Sequence, residues 1–190
     1  MQAPEFLLSA TWVLPIAPHN VVLPDHGIAV HDGRIIELAA TNELLARHPD
    51  CVHTNLQDQI LMPGLVNAHG HAAMSLMRGI GAGLALQEWL NDAIWPFEAK
   101  NMDAQAVALG TELSIAEMLL SGTTTFADMY FFPETVARVA HQTGMRCQIA
   151  APIIDFATLW SRDADDAVHK TIALYDEYRH HPLINVAFGP

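Results

Sequence analysis

The chain has 190 residues, 51% of them apolar, and its 9 Lys and Arg residues stand against 21 Asp and Glu residues, giving a formal net charge of −12. This composition excludes a disordered or fibrous chain and is sufficient for a domain with a hydrophobic core. The negative charge repels nucleic-acid phosphates and anionic membrane surfaces, so we expect neither a nucleic acid nor a membrane as a partner.

The two cysteines, Cys51 and Cys147, fit no metal-site spacing, and their number excludes a disulfide scaffold. The N-terminal residues lack the basic region and the cleavage site of a signal peptide. No apolar run reaches the roughly 18 residues that a membrane helix needs. We therefore expect a soluble, cytoplasmic protein.

The first part of the chain, residues 1–62, is predicted to be a small β domain of the sandwich type. Glu5–Val13 is a β-prone run. Two apolar runs flank Asp32-Gly33, which indicates a β-hairpin because this dipeptide tolerates the positive φ of a type I′ turn. A short helix over Asn42–Arg47 and an extended segment over Val52–Met62 complete this part.

Residues 63–190 are predicted to form βα units around a parallel sheet, because short apolar runs alternate there with helical patterns. The predicted strands are Leu65–Ala68, Thr123–Met129, Arg146–Ile154 and Ile184–Phe188, and the predicted helices are Asp103–Ser121, Pro133–Thr143 and Asp163–Arg179. Four strands make the first half of a (β/α)8 TIM barrel, which needs about 250 residues. We therefore expect the chain to be truncated, proteolysed or partnered by a second piece.

The sequence His69-Gly70-His71 stands at the end of the first of these strands. Side chains at positions i and i+2 of a strand point to the same face, so both imidazoles can converge on one metal ion. The active site of a barrel enzyme also lies at the carboxyl ends of its strands. Taken alone, however, such a pair has chance as its simpler explanation in a chain with 11 histidines.

The run Met62–His71 resembles the amidohydrolase superfamily, in which a Pro-Gly-x-x-Asn-x-His-x-His segment forms the first strand of a metal-bearing barrel. Other runs are similar to the 5′-methylthioadenosine/S-adenosylhomocysteine deaminases of that superfamily, namely Ala72–Gly79, Leu86–Leu90, Ile94–Lys100, Ala116–Met118, Ser121–Thr124, Asp128–Pro133 and Gly144–Arg146. The resemblance covers essentially the whole chain. It implies a metal-dependent hydrolytic deaminase that converts the 6-amino group of an adenine nucleoside to an oxo group with release of ammonia.

The resemblance also implies roles for individual residues. His69 and His71 match the first two ligands of a zinc ion, with iron as the alternative metal. Glu98 matches a carboxylate that accepts hydrogen bonds from the ribose hydroxyls of the substrate, although without the family it would be assigned to a solvated helix face. The matching general acid and base, and the remaining metal ligands, are expected beyond residue 190.

Four further residues have two interpretations each. Trp89 and Met74 are candidates to line the substrate pocket, although apolar side chains at helical spacing are more often part of a core. Arg162 either reaches the far end of the substrate or lies on the surface. Asp128 either braces the site or caps the following turn.

Two alternatives stay open beside the nucleoside deaminase. One is a related amidohydrolase, such as a triazine chlorohydrolase or another heterocycle deaminase, and the other is a non-catalytic fragment. Because two ligands do not hold zinc in a catalytic geometry, we expect the 190 residues alone to be inactive. Candidate partners are the small-molecule nucleoside, a complementing C-terminal segment and a second copy of the chain.

Overall fold

The structure, a computed structural model, describes residues 2–190 and divides at the Pro63-Gly64 dipeptide into two units. The first unit ends at Pro63, and the second extends from Gly64 to Pro190. Within the described residues, none of the helices is both long enough and apolar enough to cross a bilayer.

The first unit contains one four-stranded sheet and one helix. Its strands are β1 (Phe6–Val13), β2 (Leu23–His31), β3 (Arg34–Ala40) and β4 (Val52–Leu61), in the order β3-β2-β1-β4, and helix α1 (Thr41–Arg47) follows β3. Strands β1 and β4 are parallel, whereas the other two pairs are antiparallel. Leu7, Ala29 and Leu44 are buried together and form the core between sheet and helix.

The predicted hairpin is confirmed at Asp32-Gly33. Both residues have positive φ, 47° and 65°, which the two central residues of a type I′ turn require. His31 and Arg34 pair across this turn. A sandwich contains two packed sheets, and the described residues of this unit form one, so that part of the prediction remains a prediction.

The second unit is built on a parallel sheet. Its strands are β5 (Leu65–Asn67), β6 (Thr123–Asp128), β7 (Arg146–Pro152) and β8 (Ile184–Gly189), and their order in the sheet is their order in the chain. Each lies within two residues of its predicted bounds at both ends. Four strands do not close a barrel, so the full barrel also remains a prediction.

The connection that follows β5 contains short helical elements that the sequence did not predict. A 3₁₀ helix covers Ala72–Met77, and α2 (Leu86–Glu88), a π-helical segment (Trp89–Ile94) and α3 (Trp95–Asn101) then follow one another without a break. Gly79, Gly81 and Gly83 all have positive φ between the two helical parts. These glycines interrupt the apolar periodicity, which is the pattern that predicts helices.

The predicted long helices are confirmed as α4 (Ala104–Leu120), α5 (Pro133–Thr143) and α6 (Ala164–Tyr178). The carboxylates of Asp103 and Asp163 begin α4 and α6, because each accepts a hydrogen bond from the backbone three residues later, at 2.8 Å. Gly144 ends α5 in the left-handed conformation that favours glycine.

Helix α4 packs directly on the backbone of the 3₁₀ helix. A Cβ atom at Gly110 would lie 2.9 Å from the Cα atom of Ala73 and would overlap its carbonyl oxygen. The hydroxyl of Ser75 donates a 2.7 Å hydrogen bond to the carbonyl oxygen of Gly110. The 3₁₀ helix begins directly after His71, so this contact fixes the segment next to the histidine pair.

We expect Gly110→Ala to lower the free energy of unfolding by about 1–3 kcal/mol, because the added methyl group pushes α4 away from the 3₁₀ helix. Urea denaturation measures this change. Glu112→Ala, at an exposed position of the same helix, is the control and should alter the free energy by less than about 0.5 kcal/mol. Equal values for the two variants would contradict the close approach.

Candidate metal centre and adjoining cavity

Three hydrogen bonds attach the His69-Gly70-His71 segment to the carboxyl end of β6. The backbone N–H of Met129 donates to the carbonyl oxygen of Gly70 at 3.1 Å. His71 Nδ1 lies 2.6 Å from the carbonyl oxygen of Met129, and the backbone N–H of Ala72 donates to Asp128 Oδ1 at 2.5 Å. The end of β6 therefore determines where the histidines stand.

The bond to Met129 also defines the chemical state of His71. A carbonyl oxygen only accepts hydrogen bonds, so Nδ1 carries a proton, and in the neutral ring the lone pair of Nε2 is then free for a metal ion. The exposed His69 ring lies beside it, with 5.3 Å between the ring centroids. The sequence argument assumed that strand alternation places the two rings. Strand β5 ends at Asn67, before both histidines, so strand alternation does not place them. The bonds to Met129 and Asp128 hold the His71 ring and the backbone of Gly70 and Ala72.

Asp128 holds the backbone that directly follows His71. Its side chain is buried, Oδ1 accepts from Ala72, and Oδ2 has no hydrogen-bond partner in the part of the chain that the structure describes. Burial raises the pKa of the Asp128 carboxyl to about 6, and the bond from Ala72 and the charge of His71 offset part of this effect. Of the two interpretations of Asp128, the structure favours the brace.

His69 and His71 are the candidate metal ligands of this segment. No group of three or more His, Cys, Asp or Glu side chains among residues 2–190 is arranged to hold a metal ion. A catalytic zinc ion usually has three protein ligands, so this pair fits the metal only when other residues complete the set. The protonated Nδ1 of His71 is the feature that fits a metal site. Histidines that bind a metal ion through one ring nitrogen donate the N–H of the other nitrogen to an acceptor, which here is the carbonyl oxygen of Met129.

A cavity of about 260 Å³ adjoins His71, and we call it the proximal lobe. His71, Met74, Trp89 and Glu98 all line it, although they come from separate stretches of the sequence. The indole N–H of Trp89 donates to the carbonyl oxygen of Ile80 at 2.9 Å, which fixes the plane of the ring. The structure thus brings four residues singled out in the sequence to one place.

Glu98 is buried and is not the solvated carboxylate of the simpler interpretation. The hydroxyl of Tyr130 donates to Glu98 Oε1 at 2.6 Å. Burial raises the pKa of Glu98, and the Tyr130 bond and the charge of His71 counteract it in part. Burial and the same carboxylate raise the pKa of Tyr130, so its hydroxyl stays a donor.

A second cavity of about 460 Å³ continues from the first, and we call it the distal lobe. Glu98, Trp95, Phe131 and Ile154 line both lobes. The remaining wall of the distal lobe comes from Ala99 of α3 and from the loop between β7 and α6, which contributes Phe156, Ala157, Thr158 and Leu159. The only charged group on its described lining is the carboxylate of Glu98.

Comparison with known proteins identifies the family. The model of the amidohydrolase family matches residues 60–190. The chain belongs to the amidohydrolase family. The resemblance seen in the motif around His69 and His71 is therefore confirmed.

Relatives of this amidohydrolase include enzymes named 5-methylthioadenosine/S-adenosylhomocysteine deaminase. The protein of that name from Saccharophagus degradans is 48% identical over 186 residues, which are 98% of this chain and 42% of the relative. Its counterpart from Thermodesulfovibrio yellowstonii is 39% identical over 188 residues, covering 97% of this chain and 43% of the relative. The chain thus spans less than half the length of these relatives.

Solved structures of other proteins share the fold. An adenosine deaminase from Xanthomonas campestris with bound zinc superposes with a TM-score of 0.94 at 42% identity, over 98% of this chain and 43% of that one. The atrazine chlorohydrolase TrzN from Arthrobacter aurescens, complexed with zinc, has a TM-score of 0.83 at 22% identity, over 97% of this chain and 46% of its own. At that identity the second likeness concerns the fold alone.

In this amidohydrolase, Arg162 lies away from both lobes. Its side chain is 83% exposed and forms an ion pair with Asp166 at 2.9 Å. The pair is a local contact, because Asp166 lies in the first turn of α6 and Arg162 stands just before that helix. The surface interpretation of Arg162 is therefore the one that the structure supports, and the expected contact with the far end of a substrate is not seen.

The sequence did not point to Tyr130 and Phe131 as site residues. Both lie within three residues of Asp128, the last residue of β6, in the position where barrel enzymes place functional side chains. The sequence analysis applied this rule to the end of β5, where it pointed to the histidines. The same rule applied to the end of β6 would have pointed to Tyr130 and Phe131. The partnership of Tyr130 with Glu98 joins positions 32 residues apart, and no local pattern indicates it.

We expect Tyr130→Phe to lower the free energy of unfolding by about 1–3 kcal/mol at neutral pH, because the buried Glu98 carboxylate loses its donor. Since the pKa of Glu98 is raised, the folded protein loses stability as the pH rises through that pKa, and the Tyr130 hydroxyl offsets part of the loss. The deficit of the variant should therefore shrink at acidic pH, where Glu98 is protonated.

Urea denaturation at a series of pH values measures this dependence. Tyr175→Phe is the matched control, because the Tyr175 side chain is 52% exposed and should tolerate the change within about 0.5 kcal/mol. A deficit for Tyr130→Phe that is independent of pH would show that the hydroxyl does not act through the charge of Glu98.

Proposed function

We propose that this chain is part of a zinc-dependent amidohydrolase that deaminates adenine nucleosides with a 5′-thioether, namely 5′-methylthioadenosine and S-adenosylhomocysteine. The reaction replaces the 6-amino group by an oxo group and releases ammonia. The observation that carries the proposal is the proximal lobe, where a histidine with a free Nε2 and a buried carboxylate face one cavity. The identity of 48% to a deaminase of that name supports the choice of substrate.

His69 and His71 are the proposed first two ligands, and the other ligands and the general acid and base are proposed to lie outside these residues. A zinc ion bound there supplies a hydroxide nucleophile at neutral pH, because it lowers the pKa of water to about 7. The chain's own contribution is to hold the His71 ring through Met129 and to hold the adjoining backbone through Asp128. Iron remains the alternative metal.

Glu98 is proposed to bind the ribose. Tyr130 occupies Oε1, so Oε2 is available to accept hydrogen bonds from the 2′ and 3′ hydroxyls. Trp89 and Met74 provide apolar surface in the same lobe for the purine ring and exclude water from it. Anchoring the ribose at Glu98 restricts where the purine can lie relative to His71, which is a contribution of orientation.

The function is tested by assaying the full-length, zinc-loaded protein with methylthioadenosine, S-adenosylhomocysteine and adenosine. Ammonia release and the change in ultraviolet absorbance from the 6-amino to the 6-oxo purine report the reaction. We expect turnover by the full-length protein and none by the 190 residues alone. If none of the three nucleosides is deaminated, the proposal fails, and a triazine or another heterocycle becomes the substrate to test.

We expect His71→Ala to remove the metal as well as the activity, because the ring is the ligand that β6 holds in place. Metal analysis of the purified full-length protein should give about one zinc ion per chain for the wild type and much less for the variant. His169→Ala, at an exposed position of α6, is the control and should keep its zinc. Equal zinc content in both variants would remove His71 from the ligand set.

We expect Glu98→Gln to lower kcat/KM for methylthioadenosine by about 10- to 100-fold, the effect of weakening hydrogen bonds to a charged group. Turnover of free adenine, which has no ribose, should change much less. Glu112→Gln, an exposed glutamate on α4, is the matched control. If both substrates lose activity equally, Glu98 acts on the purine or the fold, and the ribose role is wrong.

A further inference from the structure

One helical run carries both Trp89 and Glu98, the side chains proposed to contact the purine and the ribose. The run extends from Leu86 to Asn101 without a break, and its residues that line the proximal lobe are Trp89, Leu90, Ile94, Trp95 and Glu98. Glu98 is the ninth residue after Trp89, which corresponds to about two and a half turns of a regular α-helix. A regular α-helix would therefore point these two side chains in opposite directions.

The π-helical turn over Trp89–Ile94 removes this conflict. The backbone N–H of Trp95 donates to the carbonyl oxygen of Leu90, five positions earlier, whereas an α-helix uses the carbonyl four positions earlier. One wide turn of five positions leads from Trp89 to Ile94, and one α-helical turn of four positions leads from Ile94 to Glu98. Because each step is one full turn of its helix type, all three side chains face the proximal lobe.

Pro96 explains why the run is not a regular α-helix. Proline has no backbone N–H, and inside an α-helix its ring overlaps the carbonyl group four positions earlier, which here belongs to Asp92. Proline is tolerated in the first turn of a helix, and the π turn lets α3 begin at Trp95, directly before Pro96. The wide turn thus accommodates the proline and aligns the two site residues at the same point.

The Trp89 ring fits closely into the position that the π turn gives it. Gly81 has a positive φ of 65°, and a Cβ atom there would lie 2.8 Å from Trp89 Cδ1 and 2.7 Å from the Cβ atom of Ala93. Asn91 and Asp92, which do not line the lobe, are exposed. The turn therefore presents its aromatic ring to the cavity and its polar side chains to solvent.

We propose that Pro96 is a positioning residue, which enforces the π turn and so keeps Trp89 on the same face as Glu98. A nucleoside is held by both side chains only in this register, because stacking on Trp89 fixes the purine while Glu98 holds the ribose. Pro96 lines neither lobe, so it acts through these two residues. The inference rests on the proposed function and adds the element that aligns its two contacts.

Two variants of the full-length, zinc-loaded protein separate alignment from general damage. Pro96→Ala removes the obstacle to a regular α-helix, so the run should relax and turn Trp89 away from the lobe. Pro96→Ala combined with deletion of the exposed Asn91 makes Glu98 the eighth residue after Trp89, two α-helical spacings of four, which restores the common face. Lys100→Ala, an exposed position of α3 that lines neither lobe, is the control.

Calorimetry measures the affinity for inosine, a 6-oxo nucleoside that is not deaminated again, so binding is separated from turnover. Pro96→Ala should lose about tenfold in affinity, the effect of losing one stacked ring, and the deletion should bring the affinity back to within about threefold of the wild type. Lys100→Ala should bind as the wild type does. Wild-type affinity in Pro96→Ala, or a deletion variant that binds no better than Pro96→Ala, would overturn the proposal.

Fluorine NMR follows Trp89 without any nucleoside. The protein is labelled with 5-fluorotryptophan, and the resonance of Trp89 is assigned by its absence from Trp89→Phe. The shift of this resonance between light and heavy water reports exposure of the ring to solvent. We expect that shift to grow in Pro96→Ala and to return to the wild-type value in the deletion variant. An unchanged shift in Pro96→Ala would show that the proline does not set the position of the ring.

Deamination of methylthioadenosine by the wild type keeps the two proposals apart. Deamination with an unmoved Trp89 in Pro96→Ala refutes the role of the proline and leaves the proposed function intact. The expected fluorine pattern without deamination supports the role of the proline in placing Trp89 and refutes the proposed function.

Discussion

The attachment of the His69-Gly70-His71 segment to the end of β6 is the constraint on which the rest of the site depends. Strand β5 ends before the histidines, so the bonds to Met129 and Asp128 orient the His71 ring and the backbone beside it. The same bonds start the 3₁₀ helix, against which α4 packs without room for a side chain at Gly110. A ligand pair is thereby held by two elements distant in sequence, which gives a metal site the rigidity that its geometry needs.

The buried pair of Glu98 and Tyr130 is the second constraint, and it has a cost. Removal from water destabilises the charged form of the Glu98 carboxylate and so raises its pKa. The hydrogen bond from the Tyr130 hydroxyl compensates for only part of this effect. Such groups are typical of functional sites, where binding requires a polar group in an apolar wall. Asp128, at the carboxyl end of β6, is a second buried carboxyl group whose pKa burial raises.

The regular elements could be predicted because each carries a local signal. Asp103 and Asp163 begin helices, Gly144 ends one, and Asp32-Gly33 forms the turn that its two positive φ values require. The helical turns between Ala72 and Asn101 carry no such signal, because they are short and glycines separate them. The 3₁₀ helix among them is placed by its packing on α4, which single-residue preferences do not encode.

The sequence by itself determined the family, the order of strands and helices in the second unit, and the histidines that can bind a metal. Those properties depend on residue types at short spacing, and such patterns can be read along the chain. Only the tertiary structure decided that Glu98 is buried against Tyr130 and that Phe156 shares a cavity with Glu98. Each of the two cavity relations joins loops or helices separated by dozens of residues. Packing of the intervening elements brings these residues together, so no local pattern in the sequence predicts their contacts.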